Sequence, residues 1–275
     1  MRRRLPEPSH PASAEREYHR YLRKYAQTYA LLMSKGLKEI LPDRREVAAL
    51  EQPRMDENIE AKLKRLFGWV EKNLARIFPD PMLRGWALAM ISKVSRNSKS
   101  NTNRTMKAVY KEAGEPAPDF EPFMHDRKLT PYYQNVVDEN VGLIRSIPLE
   151  KLPVFKNQLV AMITADAPSS QIQEAILKNF AVTRNKAALI ARDQIGKVNG
   201  ALEEHRQKQL GFTRYRWRTS EDSRVRKDHK ELDGQIFDWS KPPIVDKRTG
   251  RRAHPKRDFQ CRCWAEPIIE DVIET

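Results

Sequence analysis

At 275 residues the chain has room for one large domain or two modest ones. Hydrophobic residues make up 39% and charged residues 32%, so a core must coexist with a large solvated or partner-facing surface. The net charge of +14 favours polyanions, nucleic acid above all, with a generally basic protein lacking a special partner as the plain alternative; no run approaches the roughly 18 apolar residues of a membrane span, no apolar core follows the basic start Met1-Arg2-Arg3-Arg4 as a signal peptide would require, and the two cysteines, Cys261 and Cys263, exclude a disulfide framework.

The first dozen residues are Arg- and Pro-rich and read as disordered. From about Glu15, Tyr18, Tyr21, Leu22, Tyr25, Tyr29, Leu32 and Met33 recur at three and four and predict one helix ending near Leu41-Pro42. Its tyrosine face reads as a packing seam rather than a base-stacking platform. Ile59, Leu63, Leu66, Val70, Leu74 and Ile77 predict a second helix, stopped before Phe78-Pro79 because a residue preceding proline resists the helical region. A third starts at Pro81 and is expected to break in the polar stretch Ser95–Thr105 before resuming to Tyr110. Gly114 to Phe123 combines glycine, repeated proline and a change in charge sign, which places a division near 118. The organisation expected is a basic helical region over 1–118, then 119–275, itself helical over 125–211 and a small α+β module over 212–275.

In the second half, helices are predicted from Val136 to Ile147 and from Leu149 to Thr164. A short helix capped by Ser169 or Ser170 follows, then a long one capped by Thr183 and stopped at Leu210-Gly211. Phe212, Tyr215 and Trp217 alternate with Arg214, Arg216 and Arg218, the pattern of a short strand with arginines on one face. Thr219-Ser220-Glu221-Asp222 has the form of a helix cap. Asp233-Gly234 reads as a turn, Gln235-Ile236-Phe237 as a strand, Pro242 to Pro255 as a long basic loop, and Phe259 to Ile269 as a last strand. The fold class is therefore mainly α: a long-helix N-terminal region, a helical segment and a small C-terminal α+β module.

Three constellations carry chemistry. Asp222, Arg226 and His229 are three and four apart and share a face if Glu221–Glu231 is helical; they read as a structural polar network, with Asp222 paired to Arg226. His229, His254, Cys261 and Cys263 supply four ligands of the kinds zinc accepts, and a structural zinc would staple a module with few strands; two packed reduced thiols beside Trp264 are the alternative. Arg214, Arg216, Arg218, Lys247, Arg248, Arg251, Arg252, Lys256 and Arg257, together with Arg2–Arg4, are candidates for contact with a phosphate backbone, with a solvated face or a surface paired to an acidic protein as the alternative. No glycine loop for nucleotides exists, and no nucleophile and base stand out together.

The run Trp217 to His229 is similar to the signature of Mu-type phage head-morphogenesis proteins. Leu232 to Phe237, Pro242-Pro243, His254-Pro255 and Cys261-Arg262-Cys263 continue the pattern in order, and the helix Ala188–Asn199 resembles that family too. Here Lys256 to Gln260 separate His-Pro from the cysteines, where many relatives place them close together. The resemblance implies a non-enzymatic minor capsid protein of a bacteriophage virion, inside the capsid near the portal vertex. Its partners would be the portal protein, packaged double-stranded DNA, and scaffold or capsid protein. A metal-dependent hydrolase built on the His/Cys cluster and a DNA-binding module outside virions are the alternatives.

Overall fold

The computed structural model describes residues 5–40, 59–124, 129–149, 152–165 and 167–268. Its helices are α1 (Ala12–Ile40), α2 (Ile59–Ile77), α3 (Asp80–Ala113), α4 (Thr130–Ser146), α5 (Leu152–Thr164), α6 (Ser169–Gln209) and α7 (Lys227–Leu232). Its strands are β1 (Arg214–Arg218), β2 (Ile236–Asp238), β3 (Ile244–Asp246), β4 (Arg251–Arg252) and β5 (Trp264–Pro267). The protein is mainly α with a small C-terminal α+β module. No described helix is long and apolar enough to cross a membrane. Arg2–Arg4, Leu41-Pro42 and Ile269 lie outside the described residues.

The chain packs as two compact units, each gathered from separate stretches. One comprises Tyr18–Ala87 and Val137–Ile190; the other comprises Met1–Glu17, Leu88–Val136 and Ala191–Thr275. Position 118, where the sequence suggests a division, falls inside the Leu88–Val136 stretch. In the first unit the tyrosine face of α1 is a packing seam: Tyr18, Tyr25 and Tyr29 are buried with Leu22 and Met33. Tyr21 stacks on Trp86 with ring centroids 5.1 Å apart, and Tyr18 Oη donates to Asn140 Oδ1 at 2.6 Å. Leu63, Leu66, Val70 and Leu74 bury the matching stripe of α2.

The second unit carries the functional candidates, and several sequence expectations change there. Helix α3 does not break between Ser95 and Thr105. Its polar residues Ser95, Ser98, Asn101, Thr102 and Thr105 are buried, and two of them hold the fully buried Arg206 of α6: its guanidinium donates to Ser98 Oγ and, at 3.1 Å, to Ser95 Oγ. The arm before α1 is ordered from Leu5 onward, not disordered. Leu5 N–H donates to Glu266 Oε1 at 2.9 Å, and the Ser9 hydroxyl and amide both meet Asn101 Oδ1. The segment after α3 delivers Phe120 and Met124 into a core shared with Leu5, Met106, Val109, Phe212 and Trp264.

Helix α6 runs unbroken through Thr183, whose hydroxyl donates back to Asn179 O at 2.9 Å instead of capping a new helix. After Gly211, at φ +88°, the chain enters the sheet. Strand β1 lies at the centre of an antiparallel sheet of order β2-β1-β5, and β3 and β4 form a separate irregular hairpin inside the basic loop. The last strand is shorter than predicted, because Cys261 to Cys263 precede β5 as irregular chain.

Candidate functional site: a His/Cys cluster braced by charge

The strand period places Tyr215 and Trp217 inward, where they pack with Trp239, Val245, Cys261, Cys263 and Ala265. Against this apolar wall α7 presents His229, buried and edge-on to Trp217 at 5.5 Å. The loop between His254 and β5 closes over it from the other side. A tight turn, with Cys261 N–H donating to Asp258 O at 3.2 Å and Gln260 at φ +52°, aims both thiols inward. Cys261 Sγ and Cys263 Sγ each lie 3.5 Å from His229 Nδ1. On the far side of the ring, Nε2 meets Asp258 Oδ2 at 3.1 Å.

Asp258 is the hub of this site, and nothing in the sequence singles it out. Its side chain is 2% exposed and takes Arg226 at 2.8 Å, Arg251 Nε at 2.9 Å and His229. Burial disfavours its carboxylate, but His229, the Phe259 amide and the two arginines overcome that and hold its pKa at about 2. For His229, burial pulls the pKa down; the bonds to Asp258 and Cys261 outweigh it and hold it up at about 9. The bond from Cys263 and the adjoining imidazole lower the Cys261 thiol against its burial, while that same bond and burial raise Cys263.

The network is not the one its spacing suggests. Glu221 sits at φ +55° and α7 starts only at Lys227, so Asp222, Arg226 and His229 do not share a helix face. Asp222 pairs with Arg262, whose Nη2 donates at 2.5 Å, and Arg226 turns to Asp258. His254 is absent from the cluster of His229, Cys261 and Cys263, whose ligand atoms lie within 4.8 Å of one another. Its Nδ1 instead meets Tyr215 Oη at 2.9 Å, and burial lowers its pKa.

The candidate phosphate-contact residues also separate. Arg216 and Arg218 reach the buried Glu266 of β5 at 3.7 and 2.6 Å, so they pair across the sheet instead of forming a free stripe. Lys256 pairs with Glu203 at 2.9 Å, and Arg257 donates to Lys197 O and Tyr132 Oη. Arg214 stays exposed on β1; Lys247, Arg248, Arg251 and Arg252 are exposed on the β3–β4 hairpin, Lys247 paired with Glu231.

Helix α6 holds the closing loop in place. Asp193 Oδ1 accepts from Gln260 N–H at 2.8 Å, and Gln207 Nε2 donates to Ala265 O at 2.9 Å. At Gly200 the loop comes so near that an added Cβ would stand 2.8 Å from Lys256 Cβ and 2.9 Å from Pro255 O. Glycine to alanine in an open helix position gains up to ~1 kcal/mol. Gly200→Ala is expected to reverse that sign and cost ~1–3 kcal/mol, because the clash is with backbone. Gly68→Ala, with nothing within 4 Å of the new methyl, is the control and should stabilise. Urea midpoints of the two variants decide it; equal stabilisation by both would show that the loop does not press on Gly200.

This assembly defines a class: a helix-supported α+β module whose interior polar groups bind one another and whose basic hairpin faces outward. Residues 154–266 match the family described as Phage Mu protein F like protein, so this region is Mu F-like, as the sequence resemblance implies. An uncharacterized protein of Haemophilus influenzae is 34% identical over 132 residues, which covers 48% of this chain and 28% of that protein. The chain thus spans little more than a quarter of that relative. No solved structure matches.

Proposed function

We propose that the chain is a non-enzymatic phage head-morphogenesis protein that docks on the portal inside the capsid and grips packaged double-stranded DNA through its phosphates. The Mu F-like match supports the head-morphogenesis class. The observation that carries the rest is how charge is distributed. Asp222, Arg226, His229 and Asp258, the groups that would serve a substrate, are all held by partners of their own chain. Both oxygens of Asp258 are engaged by cations, so Asp258 itself is not free to act as the base of a metal-dependent hydrolase.

Exposed cations gather on the hairpin side, although Lys247 and Arg251 there also pair with Glu231 and Asp258. Between positions 241 and 257 there are seven basic residues and one acidic one. Lys241, Lys247, Arg248, Arg251 and Arg252 of that stretch are exposed. A short basic hairpin on a rigid base suits contact with phosphates or with an acidic portal surface, without reading bases. Scaffold or capsid protein would meet the same module during assembly.

Two measurements test this. Pull-down with the portal protein of the same phage should retain the full chain. Duplex DNA should bind with an affinity that falls steeply with salt, and the double variant Arg248→Glu/Arg252→Glu should flatten the log–log slope by about 0.9 for each phosphate no longer neutralised. A chain that retains neither portal nor DNA at low salt ends the proposal. So does turnover of a small substrate that disappears in Asp222→Asn without unfolding.

A further inference from the structure

We propose that His229, Cys261 and Cys263 bind one zinc ion, with a water molecule as the fourth ligand. Zinc sits about 2.0–2.1 Å from an imidazole nitrogen and about 2.3 Å from a thiolate sulfur. At tetrahedral angles those bonds put nitrogen and sulfur about 3.5–3.6 Å apart. Both N···S separations here are 3.5 Å, so the edges that share the nitrogen already have the length a metal-filled tetrahedron needs.

The surroundings fit in three further ways. Asp258 Oδ2 lies against the other ring nitrogen of His229, the carboxylate–histidine arrangement that fixes the tautomer and orients a metal-binding imidazole. Trp217, Trp239, Tyr215 and Val245 pack with the two cysteines as a mostly apolar shell. Charge also balances: a dication and two thiolates sum to zero, and the Asp258 carboxylate is answered by Arg226 and Arg251. Soft sulfur with imidazole is the donor set that zinc prefers over magnesium or calcium.

The fourth position has a specific occupant. A cavity of about 20 Å³ is lined by all three ligands together with Ser220, Arg226 and Gln260. That is room for one water, which needs roughly 10–15 Å³. Ser220 Oγ is buried and has no hydrogen-bond partner among the described residues, so it is positioned to accept or donate to that water. His254, bonded to Tyr215, takes no part. Zinc binding at this cluster does not depend on the portal and DNA reading.

The full chain, freshly purified without chelator, should carry close to one zinc by elemental analysis. Cobalt(II) added to the metal-free chain should give a thiolate-to-metal charge-transfer band and the intense visible bands of a tetrahedral site. His229→Ala, Cys261→Ser and Cys263→Ser should each abolish these bands, while His254→Asn keeps them. Asp258→Asn should weaken zinc about 10–100-fold in competition with a chromophoric chelator. A wild-type chain with no zinc and no cobalt bands overturns the assignment, whatever the variants do. So does a His254→Asn variant that loses the metal as fully as His229→Ala, or two thiols that react equally fast with and without zinc. That last result would leave a bare thiolate–imidazole pair.

Discussion

Asp258→Ala is expected to destabilise the protein by about 3 kcal/mol, the low end for breaking a buried ion pair, because Asp258 and His229 are buried while Arg226 and Arg251 are part-exposed. The carboxylate is the shared anion for Arg226, Arg251 and His229, and its side chain is 2% exposed. Removing it leaves the imidazole buried without its counter-charge and frees two arginines from the loop that α6 clamps. Asp258→Asn keeps the shape and should cost less. The effect should also depend on acid, since folding holds the pKa at about 2 against an ordinary value of 3.8. A depressed carboxylate contributes stability that is present above its unfolded pKa and is lost as pH falls toward the folded one. That contribution is about 2 kcal/mol. In chelator-treated protein the gap in urea midpoint between wild type and Asp258→Asn should therefore be full at neutral pH and shrink between about pH 4 and pH 2. A gap of constant size down to pH 2 would show that the carboxylate acts through packing, not charge.

Local signals in the sequence translated well into local structure. Helix α2 spans Ile59–Ile77, as its apolar spacing and Pro79 require, and the alternation around Tyr215 and Trp217 became β1 with its aromatics inside. The failures share one physical cause: a polar side chain does not announce its partner. Ser95 and Ser98 look like solvent-facing breakers, yet their partner Arg206 lies 108 to 111 residues further along. Thr183 has the composition of a cap, but its hydroxyl finds a carbonyl in its own helix. His254 and His229 are the same residue type near the same cysteines, and only the turn at Asp258–Cys261 decides which of them meets the thiols. Glu266 offered a usable signal: it lies two residues beyond Trp264 in a strand-like run, where a cross-strand partner for Arg216 and Arg218 would be sought. Asp258 offered none: Arg226 is 32 residues away, and Arg251, seven residues off, is one of several basic residues in the same loop.

Arg206→Ala should cost about 3 kcal/mol, through a mechanism distinct from that of Asp258. Arg206 is 0% exposed, and its guanidinium bonds Ser95 and Ser98 in the buried polar midsection of α3. Truncation to alanine empties a space of arginine size, and a cavity that cannot collapse between two long helices adds to the lost packing. The two hydroxyls lose their donor as well, but each can turn to a carbonyl one turn back in α3, so their share is small. Arg206→Met restores the stem without the charge and should recover more than half of the loss, since an apolar replacement of similar volume avoids burying a cation. Urea denaturation of the three proteins orders them wild type, Met, Ala. If Met proves as damaging as Ala, the hydrogen bonds and not the volume hold α3 to α6, and the continuity of α3 through Ser95–Thr105 then depends on the guanidinium itself.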